Sequence, residues 1–261
     1  MNAPAPRMPC LFLGHGSPLN VLDDNPFTRT WQRLGRELPR PRAILAVSAH
    51  WCTHGVGVTA MVQPPTLHDF GGFSREMFEI QYPAPGSPAL AARVAQLLAP
   101  KDVVQDHAWG LDHGTWSVLC KAYPAADIPV VQLSLDMRRT PGQHLQTGRQ
   151  LAPLRDESVL ILGSGNVVHN LMTHRRGEAF AYDWAERFND QVRERLLAGD
   201  HEALADDAWL GDAGRLSVPT PEHYLPLLVV AGAAGADAPT VEIDGVLGGS
   251  IGMLSVSFGR H

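Results

Sequence analysis

Four of the twelve histidines in this 261-residue chain fall where an apolar run ends or where a helix is expected to begin. His15 follows the run Cys10 to Leu13 in Leu-Gly-His-Gly-Ser-Pro, and His50 ends the run Ala43 to Ala49 in Val-Ser-Ala-His-Trp. His169 lies just past Ser158 to Leu162 in Gly-Ser-Gly-Asn-Val-Val-His-Asn, and His223 sits in the first turn of a helix expected after a Thr220-Pro221 cap. A neutral imidazole is a strong ligand for Fe(II) and Zn(II), and it must be deprotonated before it binds. The same ring, with an ordinary pKa near ~6.5, can take and return a proton at neutral pH. A helix N-terminus disfavours imidazolium, which would keep His223 neutral. His113, in Gly-Leu-Asp-His-Gly, is a further candidate, and Asp112 is a carboxylate available to orient a histidine, although adjacent residues seldom face each other. A single histidine is more often a surface or hydrogen-bonded residue than a ligand, and His54, His144, His174, His201 and His261 read that way from their polar or helical contexts. No local metal motif such as H-E-x-x-H is present, so the fold itself must bring the candidates together.

The elements that would do so are legible as short aliphatic runs at Cys10 to Leu13, Ala43 to Ala49, Pro129 to Leu135, Ser158 to Leu162, Thr240 to Ile243 and Ile251 to Phe258. Such runs suit strands buried on both faces. Amphipathic segments alternate with them. Ser87-Pro88 caps a helix over Ala89 to Leu98, Thr140-Pro141 repeats the signal, and Ala181 to Leu197 places Trp184, Phe188, Val192 and Leu196 on one face. The alternation predicts an α/β fold with a largely parallel or mixed central sheet and helices on both faces. No linker or repeat divides the chain, so residues 1–261 read as one domain. In open sheets of this kind ligands bind beyond the carboxyl ends of the strands, where the candidate histidines fall.

Bulk properties narrow the function. A net charge of −6, with no basic run beyond Arg138-Arg139 and Arg175-Arg176, argues against a nucleic-acid partner. The longest apolar stretch, Tyr224 to Ala236, is interrupted by Pro226 and Gly232 and falls short of the ~20 residues of a membrane span. The run Cys10 to Leu13 is too short for a secretory signal core, so a cytoplasmic protein is expected. Cys10, Cys52 and Cys120 form no C-x-x-C pair and are odd in number, which suits reduced packing thiols better than disulfides or a zinc site.

Seven short stretches, in order along almost the whole chain, carry a resemblance. They are Gly14-His15-Gly16-Ser17-Pro18, Ser48-Ala49-His50-Trp51, His68-Asp69-Phe70-Gly71-Gly72-Phe73, Tyr82-Pro83-Ala84-Pro85-Gly86, Gly110-Leu111-Asp112-His113-Gly114, Gly163-Ser164-Gly165-Asn166 through His169-Asn170, and Pro221-Glu222-His223-Tyr224. On these the chain resembles the 4,5-DOPA extradiol dioxygenases, within the class III (LigB-like) extradiol ring-cleavage enzymes. The resemblance implies a non-haem Fe(II) centre, often occupied by Zn(II) in purified protein, with His15, His50 and His223 as ligands. It implies that His169 is an acid-base residue or a fourth ligand and that His113 contacts substrate. In the better-known class III pattern the third ligand is a glutamate, so the choice between Glu222 and His223 stays open here. Three neutral imidazoles would leave the full dipositive charge on the metal and favour a catecholate dianion. Ser17, Trp51, Phe70 and Phe73 are the expected substrate contacts, the aromatic ones as walls that stack on a planar ring. The implied partners are a small catechol, DOPA-like or another, and O2. A monomer or a homodimer is expected.

Two rival readings come from other classes. Gly248-Gly249-Ser250-Ile251-Gly252 matches the G-x-S-x-G of a hydrolase, but a nucleophile elbow needs a strand before it, a helix after it and a later acid and histidine. Here a strand-like segment follows, and His261 is the one later histidine. The second rival is a binding module on the same fold that has lost its metal, against which the retained His15, His50, His169 and His223 argue.

Overall fold

The structure is a computed structural model and describes residues 7–206 and 211–260. Its strands are β1 (Cys10–Gly14), β2 (Ala43–Thr53), β3 (Val56–Thr59), β4 (Val103–Asp106), β5 (Val130–Asp136), β6 (Val159–Gly165), β7 (Pro239–Ile243), β8 (Val246–Leu247), β9 (Ile251–Gly252) and β10 (Ser255–Phe258). Its helices are α1 (Pro26–Glu37), α2 (Arg75–Glu79), α3 (Pro88–Leu98), α4 (His113–Ala122), α5 (Pro141–Leu151), α6 (Asp183–Leu197), α7 (His201–Leu204), α8 (Gly211–Ser217) and α9 (Leu225–Ala234).

Eight strands form one mixed sheet in the order β4-β3-β5-β2-β6-β1-β10-β7. The central four, β5, β2, β6 and β1, are parallel, while β3 and β10 run antiparallel to their central neighbours. Alternate residues enter two apolar cores. Phe12, Leu45, Val47, Leu133 and Ile161 pack on one face with α3, α5, α6 and α9. Leu11, Leu13, Ile44, Ala46 and Leu162 pack on the other with α1 and α4. Both faces of the central strands are covered, which is why those strands read as unbroken apolar runs.

Helix starts follow local chemistry. Asn25 accepts from the Phe27 and Thr28 amides while Thr28 Oγ1 accepts from the Asn25 amide, a capping box that begins α1. Thr140 and Gln143 do the same for α5. Asp112 caps α4 by accepting from the Thr115 amide at 3.1 Å. The expected Thr220-Pro221 cap is not formed: Thr220 Oγ1 donates to Glu222 Oε1, residues 221–224 make a turn, and the helix begins at Leu225. His223 therefore lies just before a helix rather than inside its first turn. The expected strand Ile251 to Phe258 divides into β9, paired with β8, and β10, paired with β1 and β7. No helix among the described residues is long and apolar enough to cross a membrane, and Tyr224 to Ala236 is instead centred on the buried α9.

Parallel pairing brings the carboxyl ends of β1, β2 and β6 to one edge. The register of β2 against β5 slips between Val47 and Cys52, and His50 lies within that irregularity. Bulges bend a strand and re-aim its side chains. His15 directly follows Gly14, and the segment after Gly165 carries Asn166 to His169 along the same edge.

Candidate metal centre

At this edge His15, His50 and His223 form a near-equilateral triangle, with ring centroids 5.2, 5.1 and 5.0 Å apart. One ligand atom from each lies within 4.8 Å of the others. His223 is delivered by its backbone: Asn166 N donates to His223 O at 2.9 Å, and a Cβ on Gly165 would collide with that carbonyl. Glycine is required there by close approach, not by its φ.

Hydrogen bonding assigns the His15 tautomer. Ser164 Oγ donates its one proton to Gly114 O at 2.5 Å, so in its 2.9 Å contact with His15 Nδ1 it must accept. Nδ1 of His15 thus carries the proton, and Nε2 presents a lone pair to the site. That atom faces His50 Nε2 at 3.3 Å. Two nitrogens bound to one ion at about 2.1 Å, at angles between octahedral and tetrahedral, stand about 3.0–3.4 Å apart. The donor set and its spacing fit a divalent cation. His223 Nδ1 is also buried with no hydrogen-bond partner among the described residues.

Two further rings complete the cluster. His169 stacks on His223 at 3.4 Å and 9°, and its amide donates to Ser217 O. His113 lies 3.8 Å from His50, ring to ring. The carboxylate that orients it is Asp69, whose Oδ2 is 3.0 Å from His113 Nδ1 and whose Oδ1 accepts from the His113 amide at 2.9 Å. Asp112 is turned away into the α4 cap and a hydrogen bond from Gln132 Nε2. Asp69 sits 44 positions before His113 with no local signal that pairs them, and Ser164 lies within β6 with no local signal that pairs it with His15.

Four of the rings, His15, His50, His169 and His223, are held toward the neutral form. Burial lowers His15 and His223 well below the ordinary histidine value, and repulsion from the neighbouring imidazoles adds to it. His50 is lowered to about 3 by burial and His113, against the pull of Asp69. His169 is lowered to about 4 by burial, then by His174 and His113. Burial opposes ionisation of Asp69, but the His113 hydrogen bond and charge outweigh it and leave its pKa lowered. Uncharged imidazoles have the lone pairs a metal needs.

The remaining candidates are placed as follows. Glu222 is half-buried, accepts from Thr220, and groups with His169 and His223 rather than with His15 and His50. Phe70 stands 5.4 Å from His113 and 5.1 Å from Phe73, edge to face in both cases, so the two phenylalanines line one side of the cluster. Trp51 points elsewhere: it stacks on Trp109 at 5.7 Å and packs over Gly57. Ser17 is exposed and accepts from the Leu19 amide at 3.3 Å, starting the 3-10 turn Pro18–Val21. Ser250, the would-be hydrolase nucleophile, is buried and donates to Asn170 O at 2.8 Å, with strand β9 rather than a helix after it. His261 lies outside the described residues.

A family described as the catalytic LigB subunit of aromatic ring-opening dioxygenase matches residues 9–259. The chain belongs to the LigB family. Among its relatives is the 4,5-DOPA dioxygenase extradiol of Escherichia coli (strain K12), 55% identical over 97% of this chain and 95% of that one. The 4,5-DOPA dioxygenase extradiol of Beta vulgaris is 38% identical over 87% of each. A crystal structure of an uncharacterized protein from Escherichia coli K12 superposes with a TM-score of 0.85 at 50% identity, covering 97% of this chain and 100% of that chain. This LigB protein is accordingly an extradiol ring-cleavage dioxygenase, acting on a small molecule with dioxygen. Membership displaces both the hydrolase and the binding-module readings.

Proposed function

We propose that the protein, as one catalytic domain over residues 1–261, opens the ring of a small catechol by extradiol cleavage at an Fe(II) held by His15, His50 and His223. The carrying observation is the imidazole triangle, with His15 and His223 buried and His50 half-buried, in which the Nε2 atoms of His15 and His50 are 3.3 Å apart. When bound, iron(II) supplies the open coordination and the electron path between ring and dioxygen that the reaction needs. Zn(II) fits the same donors and would occupy them without redox activity.

The chain's own residues do the rest. Three neutral ligands leave the site strongly cationic once loaded, so a catechol entering it is favoured as its anion. His113 takes a hydroxyl proton, because Asp69 beside its Nδ1 stabilises the positive charge that then appears on the ring. His169, neutral and stacked flat against His223, is placed to hold or return a proton on the other side of the cluster. Phe70 and Phe73 exclude water along one wall and offer ring edges and faces to an aromatic substrate. The names of the Escherichia coli and Beta vulgaris relatives support a DOPA-like catechol.

The test is anaerobic loading with Fe(II), followed by air and a panel of catechols. A yellow ring-opened product is expected. Full iron occupancy with no product from any catechol would overturn the assignment. His169→Ala should keep its iron and lose turnover; a His169→Ala protein without metal beside a His223→Ala protein that retains it would reverse the two roles.

A further inference from the structure

The loop between β6 and α6 carries more than His169. It is fastened along the Gly248-Gly249-Ser250 segment, where Arg175 N donates to Gly248 O at 2.8 Å and Tyr182 N donates to Gly249 O at 3.0 Å. Gly249 N donates to Phe180 O at 2.9 Å, and Asn170 N donates to Ser250 O at 3.1 Å. Gly248 and Gly249 both have positive φ, and a Cβ on Gly249 would meet the Tyr182 and Phe180 rings at 2.6 and 2.7 Å. The clamp fixes what the loop presents.

It presents two adjacent arginines in different states. Arg175 is 3.8 Å from Glu178 and lies over the Phe180 ring at 5.7 Å. Arg176 has no carboxylate partner among the described residues, and its guanidinium is 5.9 Å from the centre of the Phe73 ring. Phe73 touches Phe70, and Phe70 touches His113, so an unbroken row of rings leads from the metal triangle out to Arg176. Asp69, the carboxylate beside that row, is already engaged by His113. Arg176 thus brings an exposed, uncompensated positive charge to the end of the aromatic wall.

We propose that Arg176 is a specificity-determining residue that binds an anionic group, a carboxylate above all, on the ring substituent of the substrate. This rests on the catechol reading above. A guanidinium suits the task because it pairs with a carboxylate in a two-pronged fashion while its flat face stays on an aromatic ring. The catechol oxygens would face the histidines, the ring would lie along Phe70 and Phe73, and the substituent would reach outward to the loop.

The experiment compares Arg176→Gln and Arg176→Glu with the unaltered protein on 3,4-dihydroxyphenylacetate, 4-methylcatechol and dopamine, which carry negative, neutral and positive substituents. Steady-state rates of the iron-loaded enzyme are paired with anaerobic equilibrium binding to the zinc-loaded protein. Arg176→Gln should raise KM and Kd for dihydroxyphenylacetate about tenfold or more, with kcat within about twofold and 4-methylcatechol unaffected. Arg176→Glu should extend the loss and improve dopamine. Equal changes for all three compounds, or none, would overturn the assignment. Ring opening of none of the three by the unaltered iron enzyme would count against the catechol reading, while the binding series would still decide the role of Arg176.

Discussion

Arg155 and the histidine triangle sit at opposite ends of the same parallel strands, and their polar atoms are treated in opposite ways. Arg155 lies just before β6 and reaches Met8 just before β1. Though its side chain is fully buried, every nitrogen has a partner: Nε donates to Met8 O at 2.7 Å, Nη1 to Ala233 O at 2.8 Å, and Nη2 to Asp237. It ties the chain start to the last turn of α9. At the carboxyl ends, His15 and His223 are buried and His50 half-buried, yet His223 Nδ1 has no partner among the described residues and two Nε2 atoms face each other. Buried polar groups are nearly always satisfied, and one left alone costs about 1–3 kcal/mol. Arg155 is satisfied by the protein alone. The carboxyl end is complete only with something added.

That contrast can be broken by substitution. His223→Leu should abolish metal binding and turnover, while leaving the metal-free protein as stable as before or up to about 1 kcal/mol more stable, since an unpartnered polar atom is replaced by packing. Metal analysis and urea unfolding of the metal-free forms read the two effects; a large loss of metal-free stability would dissolve the contrast. Arg155→Met should do the reverse. Losing the ion pair and stranding several carbonyls costs about 3–5 kcal/mol, or a melting temperature lower by on the order of 10 °C, with metal stoichiometry intact in the folded fraction.

Subtler changes sharpen it. Asp69→Asn should lower kcat about 10- to 100-fold with metal content unchanged, because the partner that orients and supports His113 is altered. Acidification should separate the two ends as well. His15, His50, His169 and His223 all have lowered values in the folded state, so the unfolded chain takes up their protons first, from pH ~6.5 downward. Stability of the metal-free protein should therefore fall as pH drops from about 6.5 toward the folded values near 3 to 4. The gap between urea midpoints at pH 7.5 and 5.5 should narrow in a His15→Leu/His223→Leu double variant, with the remainder due to His50 and His169.

The sequence disclosed the central strands because they are covered on both faces and so are written in aliphatic residues. The peripheral β3 and β4 escaped notice: Val56–Thr59 is broken by Gly57, and Val103–Asp106 is half exposed and polar. The caps at Ser87 and Thr140 are readable from residue types, since their partners are three positions apart. His15, His50 and His169 stand out because they follow strand ends, a logic that holds for any parallel sheet, whereas His223 stands out by a Thr220-Pro221 cap that the structure does not form. Asp69 does not stand out, because its link to His113 is a matter of tertiary approach. Trp51 shows that adjacency in sequence is a weak guide: it follows His50 directly, yet its ring stacks on Trp109.

The spread of the three imidazoles over the chain also bears on biosynthesis. His15 and His50 leave the ribosome early, but His223 emerges only when α9 and the last strands are still to come. Of the proposed ligand triangle a nascent chain thus offers at most two nitrogens, which grip ions weakly, and capture by all three waits until β6 has docked against the His223 turn. Which ion the enzyme acquires is then decided by the pool around the finished cavity, not by what the growing chain meets on the way.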